Sequence, residues 1–230
     1  MSTQTYILHY APDNASLVVR LALEELGVRY NTCLVDRRQN AQRTPKYRAL
    51  NPNGLIPVLE TPDGPIFETG AILLWLADLH GGLAPAQSDP ARGDCLKWLF
   101  FLSNTLHSDL RRLFYPQRYF GDREEDQVRM STLVQTSILQ HLGILNQRWE
   151  SDRSGIVLDL YLAPMLRWLA LYPNGQDKSW FKLSDFEALF DALKALEDRP
   201  SVCAAQIAEG LGSTPFTNPT LPCPPEGFAT

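Results

Sequence analysis

The feature that most limits how this chain can fold is a change of hydrophobic periodicity near residue 80. Before it, short apolar runs alternate with amphipathic helical patterns; after it, as far as about Gly210, the spacing is helical alone. Tyr6 to Tyr10 reads as a strand. Ala15 to Leu26 reads as a helix with Val18, Leu21, Ala22 and Leu26 on one face and Gly27 as its stop, and Val28 to Val35 as a second strand. A strand, helix, strand succession of this length implies a right-handed parallel crossover. Arg37 to Arg48 is polar and irregular, with room for one short helix before Asn51. Ile56 to Glu60 and Gly64 to Phe67 follow as two strands joined through Thr61-Pro62-Asp63-Gly64, and Thr69 to Leu79 is helical again until Gly81-Gly82.

Residues 81 to 90 hold glycine, proline and little that packs, which places a boundary there. The spacing therefore divides the chain into an α/β unit over 1–81, a linker over 82–90, an all-helical unit over 91–210 and a proline-rich extended tail over 211–230. Asp89-Pro90 suits a helix start. One long helix carries Leu96, Leu99, Phe100, Leu106, Leu110 and Leu113, and another restarts after Gly121-Asp122 with Glu124, Glu125 and Asp126 at the positive end of its dipole. Val157 to Leu171 is apolar on nearly every face and belongs at the centre of the bundle. A helix over Ser184 to Leu196 and a short one after Pro200 complete it, with Phe216, Leu221 and Phe228 as candidate anchors of the tail.

Composition narrows the function. With 21 Lys and Arg against 26 Asp and Glu, a net charge of −5, the chain has the wrong sign to wrap nucleic acid or an anionic membrane. No apolar run approaches the ~20 residues that cross a bilayer, and no basic leader precedes an apolar stretch, which points to a cytoplasmic protein. Cys33, Cys95, Cys203 and Cys223 are scattered, with no C-x-x-C and no histidine at ligand spacing. They read as free thiols, without a metal site or thioredoxin-type dithiol chemistry.

Chemistry concentrates in Asn51-Pro52-Asn53-Gly54-Leu55-Ile56-Pro57-Val58-Leu59, followed by Phe67-Glu68-Thr69-Gly70-Ala71-Ile72-Leu73-Leu74-Trp75-Leu76-Ala77-Asp78. This compound pattern resembles the glutathione transferase family, whose motif runs approximately N-P-x-G-x-(V/I)-P-x-L and then E-(S/T/G)-x-A-I-x-x-(Y/W)-L-A-D. The similarity extends over the chain apart from the tail, through Glu24-Glu25-Leu26-Gly27 and Arg199-Pro200. The resemblance implies a thioredoxin-like N-terminal domain, a C-terminal helical bundle, glutathione as co-substrate without a metal, and a homodimer.

On that resemblance, Pro57 is cis and turns the N–H and C=O of Ile56 outward, where an extended tripeptide pairs like an added strand. Glu68 receives the γ-glutamyl ammonium, while the Thr69 hydroxyl and neighbouring helix amides take its carboxylate. Read by themselves, these residues also suit an ordinary helix cap and a strand start. The glycine end of the tripeptide needs a cation, and Arg37, Arg38, Arg43 and Lys46 stand in the connecting stretch where relatives place one.

A transferase must also stabilise the thiolate, since a free thiol titrates near ~8.5. The turn Tyr10-Ala11-Pro12-Asp13-Asn14-Ala15-Ser16 is most similar to the bacterial beta class, Y-x-P-x-x-C-S-L, with Ala15 at the cysteine position. Mixed-disulfide chemistry is therefore not expected; Ser16 is the first choice for the thiolate contact and Asn14 the second. Trp98 to His107 aligns with the same class, placing His107 at its cleft histidine, and Ser108 replaces the lysine that follows. Helical spacing puts Phe100, Asn104, His107, Arg111 and Phe114 on one mixed polar and aromatic face, the wall of a second-substrate pocket. Phe100, Phe114, Tyr115 and Trp168 suggest a small apolar electrophile. At the start of the central helix Ile156 replaces the family's capping Ser/Thr, leaving Asp159, with Ser154 as a substitute cap.

The leading expectation is conjugation of glutathione to that electrophile. Two others use the same fold: glutathione-dependent reduction of disulfides or peroxides, and a non-catalytic binding or dimerisation module. The missing cysteine and lysine favour the last; an intact γ-glutamyl clamp, which a scaffold does not need, opposes it.

Overall fold

A computed structural model describes residues 5–151 and 155–229. Strand β1 (Tyr6–Tyr10) leads through α1 (Ser16–Leu26) to β2 (Tyr30–Leu34), and the two strands pair in parallel with Tyr6 opposite Tyr30. Gly27 ends α1 in the left-handed region, where a side chain would be strained. The polar stretch that follows holds a 3₁₀ turn, Ala41–Arg43, and a single-turn helix α2 (Pro45–Arg48) capped by Thr44, whose hydroxyl accepts from the Tyr47 N–H at 3.3 Å. Strands β3 (Val58–Thr61) and β4 (Gly64–Phe67) form an antiparallel hairpin, and helix α3 (Thr69–His80) closes the unit. The sheet order is β2-β1-β3-β4, with β3 antiparallel to β1. This is the thioredoxin-like arrangement expected from the sequence.

The remainder is helical: α4 (Arg92–Phe100), α5 (His107–Phe114), α6 (Pro116–Phe120), α7 (Glu124–Ser151), α8 (Ile156–Leu171), α9 (Glu187–Glu197) and α10 (Pro200–Glu209). The single long helix expected through Leu113 is divided. Residues Phe101–Leu106 widen into a π-helical segment between α4 and α5, a local rewinding that recurs at functional sites. Helix α8 is buried on nearly every face, as its composition requires, and packs on α1, α4, α5 and α9. With Ile156 in place of the family's capping Ser/Thr, the Val157 N–H donates to the Leu83 carbonyl at 3.0 Å, and Asp159 accepts the Trp149 indole N–H at 2.7 Å. Ser154 lies outside the described residues.

Both units share one continuous apolar core running from Tyr6 and Leu17 to Leu193 and Phe216. Buried polar groups cross between them. Glu209, fully buried at the end of α10, accepts from Arg20 Nε and from the Asp13 backbone N–H, each at 2.7 Å. Arg199 and Ser201 grip Glu25 at the opposite end of α1.

The tail is extended, but it is tied down throughout. Phe216 is buried, and the backbone N–H groups of Phe216 and Thr217 donate to Glu197. Farther on, Tyr10 donates to Glu226 and Arg37 to the Ala229 carbonyl, so the tail returns to the α/β unit. Leu221 is exposed rather than an anchor. Phe228 is half-exposed and lies under the Arg38 guanidinium, 3.1 Å from its ring centre. The four cysteines are free thiols.

Candidate functional site

A cleft of about 1030 Å³ opens between the sheet edge and the helices. Its floor is the loop before β3. The Ile56–Pro57 peptide is cis, as the resemblance implied. Among the described residues neither the N–H nor the C=O of Ile56 has a hydrogen-bond partner, so both remain available to an added strand. The loop is held rigid from behind: the Leu55 carbonyl accepts from Tyr47 Oη at 2.9 Å and Asn51 Nδ2 at 2.8 Å, and Asn51 Oδ1 accepts from the Asn53 N–H at 3.0 Å. Gly54 sits at φ +62°, and a Cβ there would lie 2.7 Å from the Gln42 carbonyl oxygen. The N-P-x-G part of the motif is thus a brace for the loop.

Beside this floor, Glu68 adopts φ +71°, a positive value rare for a side-chain-bearing residue and one that clusters at ligand sites. Its carbonyl accepts the Ile72 N–H at 3.0 Å, while its carboxylate is exposed at the cleft. Thr69 follows as the buried first residue of α3, with no side chain capping the helix. A carboxylate next to an open helix N-terminus suits a zwitterionic amino-acid head.

The turn between β1 and α1 corrects one expectation. Ser16 is fully buried; its hydroxyl donates to the Ala11 carbonyl at 3.0 Å and accepts the Ala11 N–H at 3.2 Å. It staples the turn and does not line the cleft. Asn14 and Ala15 do line it. Among the described residues the Ala15 N–H, at the start of α1, has no hydrogen-bond partner. Asp13, also on the wall, is occupied: it accepts from Arg167 Nε at 2.9 Å, Trp168 Nε1 at 2.9 Å and Tyr172 Oη at 2.7 Å.

The cations separate as well. Arg37 and Arg43 border the cleft, whereas Arg38 stacks on Phe228 and Lys46 lies outside the lining. Arg48, not singled out in the sequence, also borders it. Arg37 already donates to the Tyr115 hydroxyl at 3.1 Å and to the Ala229 carbonyl.

Across the opening, Phe100, Asn104, His107, Arg111 and Phe114 line the wall together, as helical spacing required. His107 Nδ1 shares a hydrogen bond with the Tyr161 hydroxyl at 3.0 Å and packs against the Tyr161 and Trp168 rings. Burial, helped by the Arg111 charge, lowers the His107 pKa to about 4, so the ring is neutral at physiological pH. Tyr161 itself is raised above the ordinary phenol, by burial first and then by the Glu68 charge. Sequence reading missed Tyr161; the signal available was a lone hydroxyl on an otherwise apolar helix, which needs a polar partner.

The sheet topology defines a thioredoxin-like domain, and its open strand edge lies beside an acidic residue at the start of a helix. Residues 4–78 match the family model described as "Glutathione S-transferase, N-terminal domain". Glutathione S-transferase GstA of Escherichia coli O157:H7 is 28% identical over 89% of this chain and 98% of its own length. The crystal structure of a glutathione transferase from Burkholderia graminis, with two glutathione molecules bound per subunit, is 31% identical and covers 90% of each chain at a TM-score of 0.75. A bacterial beta-class enzyme from Sphingomonas chungbukensis is 29% identical over 89% of this chain and 98% of its own, at 0.72. The chain belongs to the glutathione S-transferase family.

Proposed function

We propose that this protein binds glutathione along the Ile56 edge and joins its sulfur to an electrophile held against the helical wall, as a cytoplasmic homodimer in a detoxifying role. The unit over 1–81 supplies the tripeptide site and the helices over 91–210 the second-substrate wall. The observation that carries this reading is the juxtaposition of the unpaired Ile56 N–H and C=O with the Glu68 carboxylate and the start of α3. The cysteinyl backbone pairs with Ile56, Glu68 takes the γ-glutamyl ammonium, and the first amides of α3 take its carboxylate. Arg37, Arg43 or Arg48 meets the glycine carboxylate.

This pose directs the thiol toward Asn14 and the Ala15 N–H, where the helix dipole of α1 favours negative charge. The thiol proton passes to solvent, the thiolate forms a C–S bond at the electrophilic carbon, and the leaving group departs with its electron pair. Neutral His107 contributes a polar wall and no positive charge. Calorimetry with glutathione at millimolar concentration tests the reading: saturable binding is expected, and its absence overturns it. Light scattering checks the dimer.

A second reading, reduction of disulfides by glutathione, draws support from the Burkholderia structure with two glutathione molecules per subunit. Product analysis separates the two, because conjugation consumes glutathione and reduction yields its disulfide.

A further inference from the structure

The lining of the cleft has the opposite charge balance to the molecule. The chain carries a net −5, yet five arginines face this one cavity, Arg37, Arg43 and Arg48 from the α/β unit and Arg111 and Arg118 from the helices. Among the described residues, the carboxylates that face it are Asp13 and Glu68, and Asp13 is saturated by Arg167, Trp168 and Tyr172. A glutathione molecule placed as above engages Glu68 and a cation of the α/β unit. It leaves Arg111 and Arg118 on the far wall.

Those two arginines are presented rather than compensated. Arg111 stands one turn beyond His107 on α5 and is half-buried; among the described residues its guanidinium has no hydrogen bond or ion pair. A partly desolvated guanidinium without an anion is a costly arrangement unless a ligand supplies the anion. Arg118, an exposed residue of α6, places its guanidinium over the Tyr115 ring, 4.8 Å from its centre. The Tyr115 hydroxyl accepts from Arg37 at 3.1 Å, which adds a third guanidinium to the same corner. Phe100 and Phe114 supply apolar surface beside them.

We infer that the second substrate carries a carboxylate, which Arg111 and Arg118 hold while its apolar body rests on Phe114 and Phe100. This sharpens the expected apolar electrophile and rests on the glutathione-conjugating reading above. The guanidinium fork suits a planar carboxylate, and its attraction also favours capture of an anion by a protein whose overall charge repels one.

Two matched aryl chlorides test it: 4-chloro-3-nitrobenzoate and its neutral amide, 4-chloro-3-nitrobenzamide. In either, the glutathione thiolate attacks the carbon bearing chlorine, the C–S bond forms, and chloride leaves with the C–Cl electron pair. The wild-type chain is expected to favour the acid over the amide by about tenfold in kcat/KM at low salt. The preference should collapse toward one in Arg111→Gln with Arg118→Gln. Calorimetry with the two preformed conjugates, S-(4-carboxy-2-nitrophenyl)glutathione and its carboxamide, gives the same ratio as dissociation constants without requiring turnover. Equal affinity for the two conjugates in a protein that binds glutathione overturns the inference and leaves the conjugation reading standing. So does a ratio that persists in the double variant, because a group other than these arginines would then discriminate the carboxylate. Failure to bind glutathione or either conjugate overturns both.

Discussion

Arg167 and Asp13 form an ion pair across the two units at 2.9 Å with both side chains completely shielded from solvent. The guanidinium also donates to the Leu211, Pro215 and Thr220 carbonyls, so one side chain joins the β1–α1 turn, helix α8 and the beginning of the tail. Asp13, at φ +49°, begins the turn that places Asn14 and Ala15 at the cleft. The pair thus couples the position of Asn14 and Ala15 at the cleft to the helical unit.

Arg167→Met is accordingly expected to destabilise the protein by about 3–5 kcal/mol, because Asp13 is left as a buried charge and three carbonyls lose their donor. Thermal denaturation should show a fall in Tm on the order of 10 °C. Arg167→Lys should recover little of it, since a single ammonium does not reproduce the planar fork. A variant with unchanged Tm would remove the pair from the architecture.

For Glu68, replacement by alanine should weaken glutathione binding by between about tenfold and a hundredfold, the worth of a charge-assisted contact to the ammonium group. Retention on immobilised glutathione should be lost while circular dichroism remains that of the folded chain. Retention at wild-type strength would show that the carboxylate is merely a helix-start residue.

Ser16 and Asn14 are expected to part company. Ser16→Ala leaves the Ala11 N–H and C=O without their partner and should cost about 1–3 kcal/mol in urea denaturation. The ultraviolet titration of bound thiolate should be unchanged in it. Asn14→Ala should raise the pH at which the thiolate forms. The reverse pattern would restore Ser16 to the thiol.

Burial and the Arg111 charge hold the His107 pKa at about 4, below the unfolded value near ~6.5. In the pH window between those values the unfolded chain binds the extra proton and the folded chain does not. Its contribution to stability is therefore complete above about pH 6.5 and is lost as pH falls toward 4. Tm measured across that range should decline less in His107→Gln than in the wild type. The pH dependence of turnover should show no inflection from imidazolium near neutrality, and an inflection that vanishes in His107→Gln would contradict the structure.

Among the basic residues before β3, Arg38→Ala should leave glutathione affinity at the wild-type level, because the side chain is stacked on Phe228 outside the cleft. Single alanine substitutions at Arg37, Arg43 and Arg48, measured by calorimetry, should identify the glycine-carboxylate contact by the largest rise in Kd. A loss on Arg38→Ala alone would place the cation elsewhere.

What the sequence determined by itself is what local physics writes locally. Alternating and helical periodicities located β1 through α3 and most helices after Arg92, though not α6 or the division of α4 from α5, since burial imposes those spacings on each segment separately. The N-P-x-G-x-I-P run and Glu68-Thr69 marked the candidate ligand edge through their resemblance to a family motif, whereas the positive φ of Glu68 had no sign in the sequence. The stripe from Phe100 to Phe114 was legible for the same reason, although its π-helical interruption was not: no residue in Phe101–Leu106 announces an extra residue in the turn.

Only the tertiary structure decided which side chains were spent on the fold. Ser16 turned inward to Ala11, Arg38 went to Phe228 and Asp13 to Arg167, while Tyr161 arrived at the cleft from the central helix and Arg48 from the irregular stretch before β3. A short polar side chain satisfies its hydrogen bonds with whatever the folded chain brings nearest. Asp13's side-chain partners lie up to 159 residues away in sequence, a separation on which no local spacing bears.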